Sequence, residues 1–339
     1  MKTKQICLKQ RPQGWPTEDC FEETEAHLPD LERGQMLLEI LYLSLDPYMR
    51  GRMNDVKSYV PPFEIGKPLE GGVIARVAKS NEGTFTEGTF VSGMGHWAEF
   101  MVSNGAGFMP VSAKAAPLSY YLGILGMPGM TAYVGLKGVA KMKPGENVFV
   151  TAASGAVGQV VGQIAKTMGC RVTGSAGGDD KIAYLKDTLK FDDVVNYKTE
   201  TNLFKAVQMA NPKGIDVLFE NVGGPMMEAT LNAMNFHGRI ALCGLISDYN
   251  ATLESVQAGP RNLPVMVQRS IRMQGFIVFN YPELCKEWMS VGAAWLAAGK
   301  LHYRESVAEG LSSAPNAFLG LFKGENFGKQ IVKVSAYKA

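Results

Sequence analysis

"VFVTAASGAVGQVVGQIAKTMG", Val148 to Gly169, is the stretch on which the reading of this chain turns. A strand-like apolar run over 146–152 ends in Ala153-Ser154-Gly155-Ala156-Val157-Gly158. Val157, Val160, Val161, Ile164, Ala165 and Met168 then fall three or four residues apart, as the apolar stripe of a helix does. Strand, small-residue turn and helix in succession is the context in which G-x-G-x-x-G grips the pyrophosphate of a dinucleotide. Ala153 stands in the first glycine's place, which loosens only the turn requirement. Gly155 lets the backbone approach the phosphates, Gly158 lets helix and strand pack, and the helix N-terminus offers free N–H groups to the phosphates. The blander reading, small residues serving only helix–strand packing, fits this context less well.

The same rhythm continues downstream. "CRVTGS" (170–175), "DVVNY" (193–197), "IDVLFEN" (215–221), "RIALCG" (239–244) and "IRMQGFIV" (271–278) read as further strands with helical patterns between several of them. Alternation over some 150 residues predicts an α/β fold with a doubly wound parallel sheet. At the end of the second strand an acid would hold ribose hydroxyls. "SAGG" stands there instead, and Asp179 or Asp180 is expected to cap the helix carrying Ile182 and Leu185. Small residues leave room for a phosphate and Lys181 supplies positive charge, so NADP is favoured over NAD.

Upstream, "GQMLLEILYLSLDPYMRG" (34–51), "EGGVIARVAKS" (70–80) and "GTFTEGTFVSGMGHWAEFMVS" (83–103) are short strands broken by glycines, as in a small β-barrel. A 339-residue chain is too long for one ordinary core, so two domains are expected. The net charge of +2 points to neither a nucleic-acid nor a membrane surface. Five scattered cysteines without a C-x-x-C pair argue against disulfides and thiolate zinc, and fit a reducing cytoplasm. Between Lys114 and Lys137 lies an uncharged stretch of spanning length. Pro117, Pro128 and four glycines interrupt it, so it is read as buried helices joined by a turn at "MPGM" (127–130).

These residues resemble the zinc-independent branch of the medium-chain dehydrogenase/reductases. The likeness is strongest to the leukotriene hydroxydehydrogenase/prostaglandin reductase group, with the plant double-bond reductases and bacterial curcumin-reductase-like enzymes. It covers nearly the whole chain: "DPYMRGRM" (46–53), "GMPGMTAY" (126–133), "AASGAVG" (152–158), "SAGGDDKIAYLK" (175–186), "NYKT" (196–199), "ENVGG" (220–224), "CGLISDYN" (243–250), "QGFIV" (274–278) and "GLFKGENFGKQIVKV" (320–334). The resemblance implies a GroES-like catalytic domain over 1–122, a Rossmann domain over 123–305, and a segment over 306–339 returning to the catalytic domain. It also implies NADPH and a homodimer. By position, Gly155 to Gly158 would meet the pyrophosphate, while Lys181 and Tyr197 would hold the 2′-phosphate. Asn221, the run Cys243, Gly244, Leu245, Ile246, Ser247, Asp248 and Tyr249, then Phe276, Ile277 and Val278, and Asn326 would surround ribose and nicotinamide. Each has a plainer role open to it: helix-start lysines are usually solvated, and Cys243 or Phe276 would suit any core.

One departure bears on the chemistry. Zinc-dependent relatives carry a Gly-His-Glu ligand where this chain reads "LEGGV" (69–73), and the four histidines stand isolated. A catalytic zinc needs about three protein ligands and an open position, so no metal is expected. Without one, reduction of the carbon–carbon double bond of an α,β-unsaturated aldehyde or ketone is the chemistry that asks least of the protein. Hydride goes to the β-carbon and charge collects on the carbonyl oxygen, where one or two hydroxyls suffice to stabilise it. Tyr249, Tyr48 and Tyr59 are the candidate donors. A quinone reductase and a non-catalytic NADPH-binding protein are the alternatives.

Overall fold

The computed structural model describes residues 1–252, 255 and 259–335. The chain forms two compact units, one from 1–122, 305–326 and the residues from 330, the other from 123–304 and 327–329.

The first unit is built on antiparallel strands. β1 (Lys2–Leu8) pairs with β2 (Phe21–His27) as a two-stranded ribbon. β3 (Gln35–Ser44), β4 (Glu70–Asn81), β5 (Phe90–His96), β6 (Phe100–Ser103), β7 (Met109–Pro110), β14 (Glu305–Glu309) and β15 (Lys329–Lys333) form a seven-stranded sheet. Its path runs β14-β15-β3-β4-β5-β7, with β6 also on β3. Met36, Leu38 and Ile40 alternate along β3 and are fully buried, because alternate side chains of a strand share a face. They join Trp97, which packs edge-on against Phe318 of helix α9 (Ala314–Lys323), ring centroids 5.9 Å apart. After β3 the chain turns at Asp46-Pro47 into the one-turn helix α1 (Met49–Arg52).

The second unit carries the parallel sheet. Its strands are β8 (Asn147–Val150), β9 (Arg171–Ala176), β10 (Asp193–Asn196), β11 (Ile215–Glu220), β12 (Met234–Leu242) and β13 (Arg272–Gly275). They lie in the order β10-β9-β8-β11-β12-β13. Counted within the unit this is 3-2-1-4-5-6, the doubly wound order. The helices are α2 (Met127–Tyr133), α3 (Gly158–Thr167), α4 (Asp179–Ala183), α5 (Leu203–Ala210), α6 (Gly224–Ala233), α7 (Pro264–Gln268) and α8 (Pro282–Ala297). The expected fold class, parallel α/β unit plus β-sheet unit, is the one observed.

Of the stripe read on α3, Val160, Val161, Ile164 and Ala165 are within 3% exposure, whereas Val157 at the N-cap is half-buried and Met168 at the C-cap is 39% exposed. Burial of each valine or isoleucine among them contributes about 1.5–3 kcal/mol. Two polar residues share that burial, Gln159 and Gln163. Gln159 Oε1 accepts from the Arg304 N–H (3.0 Å) while its Nε2 donates to the Arg304 carbonyl (3.1 Å). Gln163 does the same with His302, at 2.7 and 2.8 Å. Two amides one helical turn apart thus serve as a strand edge for residues 302–304, pairing the N–H and carbonyl of both His302 and Arg304.

Several expectations need correction. "MPGM" is not a turn between helices but the first turn of α2, where Pro128 occupies an early position whose N–H has no partner in any case. The turn comes before it, at Gly123–Gly126 (Gly126 N to Gly123 O, 3.0 Å). Neither Asp179 nor Asp180 caps α4; Gly178 does, at φ +114°, with both aspartates inside the first turn. β12 starts at Met234 rather than near Arg239, and β13 ends at Gly275, so Phe276 to Val278 lie past the sheet. Among the described residues, no helix is long and apolar enough to cross a membrane.

Candidate functional site

All six strands of the second unit run parallel, so their carboxyl ends lie along one edge. Every candidate of this unit sits just past such an end: Gly155–Gly158 after β8, Lys181 after β9, Tyr197 after β10, Asn221 after β11, Cys243–Tyr249 after β12 and Phe276–Val278 after β13. In a doubly wound sheet that edge, at the strand-order reversal between β8 and β11, is where ligands bind.

The turn after β8 explains its own composition. A Cβ on Gly158 would stand 2.3 Å from the Ala152 carbonyl oxygen and 2.8 Å from Ala153 Cα, so only glycine fits. On Gly155 it would meet only the Ala152 oxygen, at 3.1 Å. Gly158 is a packing glycine, while Gly155 keeps an open approach to its backbone. Ala153 replaces the usual first glycine without cost because β9 supplies Gly174 opposite; a Cβ on Gly174 would come 2.8 Å from the Ala153 methyl. The same turn is fastened to the chain's far end, where the Gly328 N–H donates to the Ser154 carbonyl (3.1 Å).

At the switch point the polar groups are closely knit. Thr151 Oγ1 donates to Glu220 Oε1 (2.8 Å) and accepts from the Asn221 N–H (2.7 Å), while Asn221 Nδ2 donates to the Thr151 carbonyl (2.8 Å). Glu220 Oε1 also accepts from the N–H groups of Val222 (2.6 Å) and Gly223 (2.9 Å). Burial pushes this fully enclosed carboxyl above the usual carboxylate range. Glu220 went unnoticed in the sequence, although an acid closing the apolar run "IDVLF" was its signal. The 243–249 loop is tied to this corner: Cys243 and Gly244 donate to the Glu220 carbonyl, Ile246 to Asn221, and Ser247 to Val222. The Tyr249 hydroxyl lies 3.0 Å from where a Gly244 Cβ would stand, so the phenol lies over a backbone stripped of side chain.

Next to β9 and β10, a Cβ on Gly177 would be 2.7 Å from the Tyr197 phenol and 2.9 Å from Lys198 Cε. Lys181 is half-buried, and burial together with the nearby Lys198 charge lowers its pKa. Lys198 was not singled out in the sequence; its place in "NYKT" was the available signal.

Four candidates take other surroundings. Phe276 packs edge-on against Phe219 (centroids 6.3 Å), a core contact. Asn326, Tyr48 and Tyr59 belong to the first unit. Burial, then the Asp46 charge, pushes the Tyr48 phenol far above its ordinary value, so it stays a proton-bearing donor. Tyr59 is exposed. Among the described residues no group of three or more His, Cys, Asp and Glu could hold a metal. Cys7, Cys20, Cys170 and Cys285 are buried and Cys243 half-buried. Burial raises the Cys170 and Cys285 thiols, and burial with the Glu220 charge pushes Cys243 up to about 12.

Fold and edge geometry together define a nucleotide-binding dehydrogenase-type enzyme. Residues 4–111 match the family described as the N-terminal domain of oxidoreductase, and 156–293 that described as zinc-binding dehydrogenase. The chain is 46% identical to the NADP(+)-dependent 2-alkenal reductase of Nicotiana tabacum, over 99% of this chain and 98% of that one. It is 43% identical to prostaglandin reductase 1 of Mus musculus, over 98% and 99%. The crystal structure of CurA from Vibrio vulnificus in complex with NADPH superposes with a TM-score of 0.92 at 42% identity, covering 98% of this chain and all of that one. The chain therefore belongs to the zinc-independent medium-chain dehydrogenase/reductases, in the group of the prostaglandin, curcumin and alkenal reductases.

Proposed function

We propose that this protein is an NADPH-dependent oxidoreductase that saturates the carbon–carbon double bond of α,β-unsaturated aldehydes and ketones, leaving the carbonyl intact. The observation that carries it is the carboxyl edge of the parallel sheet. Glycine backbone at Gly155 and Gly177, the Lys181 ammonium and the Tyr197 phenol stand where a phosphorylated dinucleotide needs room, charge and hydrogen bonds. The cofactor fits this donor set. A strand-end carboxylate would repel a 2′-phosphate, and β9 ends instead in Ala176-Gly177-Gly178. The activities for which the relatives above are named support the same reading.

In this reading Gly155, Ala156, Val157 and Gly158 meet the pyrophosphate, and Lys181 and Tyr197 the 2′-phosphate. Asn221, the 243–249 loop, Phe276 to Val278 and Asn326 surround ribose and nicotinamide. Bound NADPH supplies a hydride for the β-carbon. The residues of this chain orient the enone and hold the charge that gathers on its oxygen. Tyr249 is the first donor, with Tyr48 and Tyr59 as the others; a phenol can hydrogen-bond the enolate without giving up its proton. Protonation of the α-carbon, from solvent or a tyrosine, completes the saturated product. The first unit would act as the catalytic domain, and the working form would be a cytoplasmic homodimer.

The test is product analysis with NADPH and a simple enal. The saturated aldehyde is expected; an allylic alcohol would overturn the mechanism. Equal turnover with NADH and NADPH would overturn the cofactor assignment. Faster turnover on quinones than on any enone would move the protein to the quinone reductases.

A further inference from the structure

Lys198 was left aside by the assignments above, yet its side chain does not extend away from the sheet. Its Cε lies 2.9 Å from the point a Gly177 Cβ would occupy, beside the Tyr197 phenol. Lys198 therefore folds back over the turn from β9 to α4, across a residue that has no side chain to obstruct it. The neighbouring acids do not neutralise it. Asp179 Oδ1 accepts from Asn196 Nδ2 (3.3 Å), Asp180 is exposed, and among the described residues no ion pair involves Lys198. Its backbone N–H is held by Asn196 Oδ1 (3.2 Å), which fixes the corner after β10.

Lys181, in α4 just past that glycine turn, feels this second charge. Burial first, and then the Lys198 charge, lower the pKa of Lys181. Such a pair is unfavourable in the free protein and is relieved when an anion sits between its members. A phosphate monoester carries about two negative charges at neutral pH, its second pKa being near 6. One lysine leaves such a group half-compensated; two match it.

We infer that Lys198 is the second cation of the subsite for the 2′-phosphate monoester of the cofactor's adenosine ribose, paired with Lys181. It sets how strongly phosphorylated dinucleotide is preferred over the unphosphorylated form. This rests on the NADPH reading and adds to it a specificity-determining residue that acts through charge alone and takes no part in hydride transfer.

The test uses the full chain as Lys198→Ala, Lys198→Glu and Lys198→Arg, with two fragment probes, adenosine 2′,5′-bisphosphate and 5′-AMP. For Lys198→Ala, affinity for the bisphosphate and KM for NADPH should weaken about three- to tenfold, as expected for one exposed charge-assisted contact. Affinity for 5′-AMP, KM for NADH and kcat should hold within about twofold. Lys198→Glu should weaken the bisphosphate further and Lys198→Arg should restore it, and the gap between unmodified protein and Lys198→Ala should shrink with added salt. An unchanged preference for the bisphosphate in Lys198→Ala overturns this inference and leaves the NADPH reading standing. Equal affinity of the unmodified protein for both probes overturns the two together. The site is on the surface, so a loss that extends equally to 5′-AMP marks a structural role and also overturns it.

Discussion

The two edges of the six-stranded parallel sheet carry similar residue types to opposite ends. At the amino edge, a groove of about 500 Å³ is lined by Lys141, Lys143, Glu146, Asp216, His237, Arg239 and Arg272 among others. Its carboxylates and its arginines are already engaged. Arg239 bonds Glu146 at 2.6 Å and the Ala140 carbonyl at 3.0 Å, Asp216 accepts from Asn147 and Asn235, and Arg272 donates to the Val139 carbonyl. At the carboxyl edge, glycines replace side chains, and the Lys198 side chain lies over Gly177. Charge paired within the protein braces it; the Lys198 charge, in no ion pair among the described residues, stands beside bare backbone instead. That contrast, rather than the count of basic residues, tells site from scaffold.

Lys181→Ala should mark the contrast most strongly. Loss of a charge-assisted phosphate contact typically removes about 1.5–3 kcal/mol, roughly a ten- to hundredfold rise in KM for NADPH, with NADH unaffected. The pH dependence has a definite sign. A lysine with a lowered pKa loses its charge earlier as pH climbs, so KM for NADPH should rise at lower pH than ordinary lysine titration would bring. Steady-state kinetics with both cofactors across alkaline pH checks both. A smaller effect belongs to Tyr249→Phe. Removal of a single oxyanion donor can cost roughly 10²–10³ in turnover. On the order of tenfold is expected here, because Tyr48 or a ribose hydroxyl can share the charge. The fall should appear in kcat and spare NADPH binding; an unchanged kcat would remove Tyr249 from the mechanism. Smallest for catalysis is Arg239→Met at the opposite edge. Denaturant unfolding should show about 1–3 kcal/mol lost, since Glu146 would keep only the Lys143 N–H as partner, while kcat and KM stay within about twofold. A changed KM for NADPH would break the distinction between the edges.

Strand positions in the nucleotide-binding unit were legible because buried parallel strands are written as apolar runs, and the α3 stripe because its period is that of a helix. What escaped the sequence was polar and local. Gln159 and Gln163 break no apolar pattern, and their role depends on a segment some 140 residues away. Gly178 rather than an aspartate caps α4, since a φ of +114° excludes side chains, which composition does not announce. The cofactor candidates of the second unit lie past strand ends, although Tyr197, Asn221, Cys243, Gly244 and Phe276 to Val278 read in the sequence as the last residues of strands. Glu220 and Lys198 stayed hidden because an acid ending an apolar run and a lysine after a tyrosine each look like solvated punctuation.

The cysteines bear on how such an enzyme survives its own substrates. Enals are Michael acceptors that alkylate thiolates, and a cell's reductase for them would meet them at every turnover. Four of the five sulfurs are buried, and the half-buried one, Cys243, has a thiol pushed up to about 12. At pH 7 such a thiol is ionised in only roughly one molecule in 10⁵, against a few per cent for an ordinary cysteine. Under the proposed activity, the sulfur placed among the candidate nicotinamide contacts is chemically quiet, and the protein can hold a reactive electrophile beside it without becoming the product.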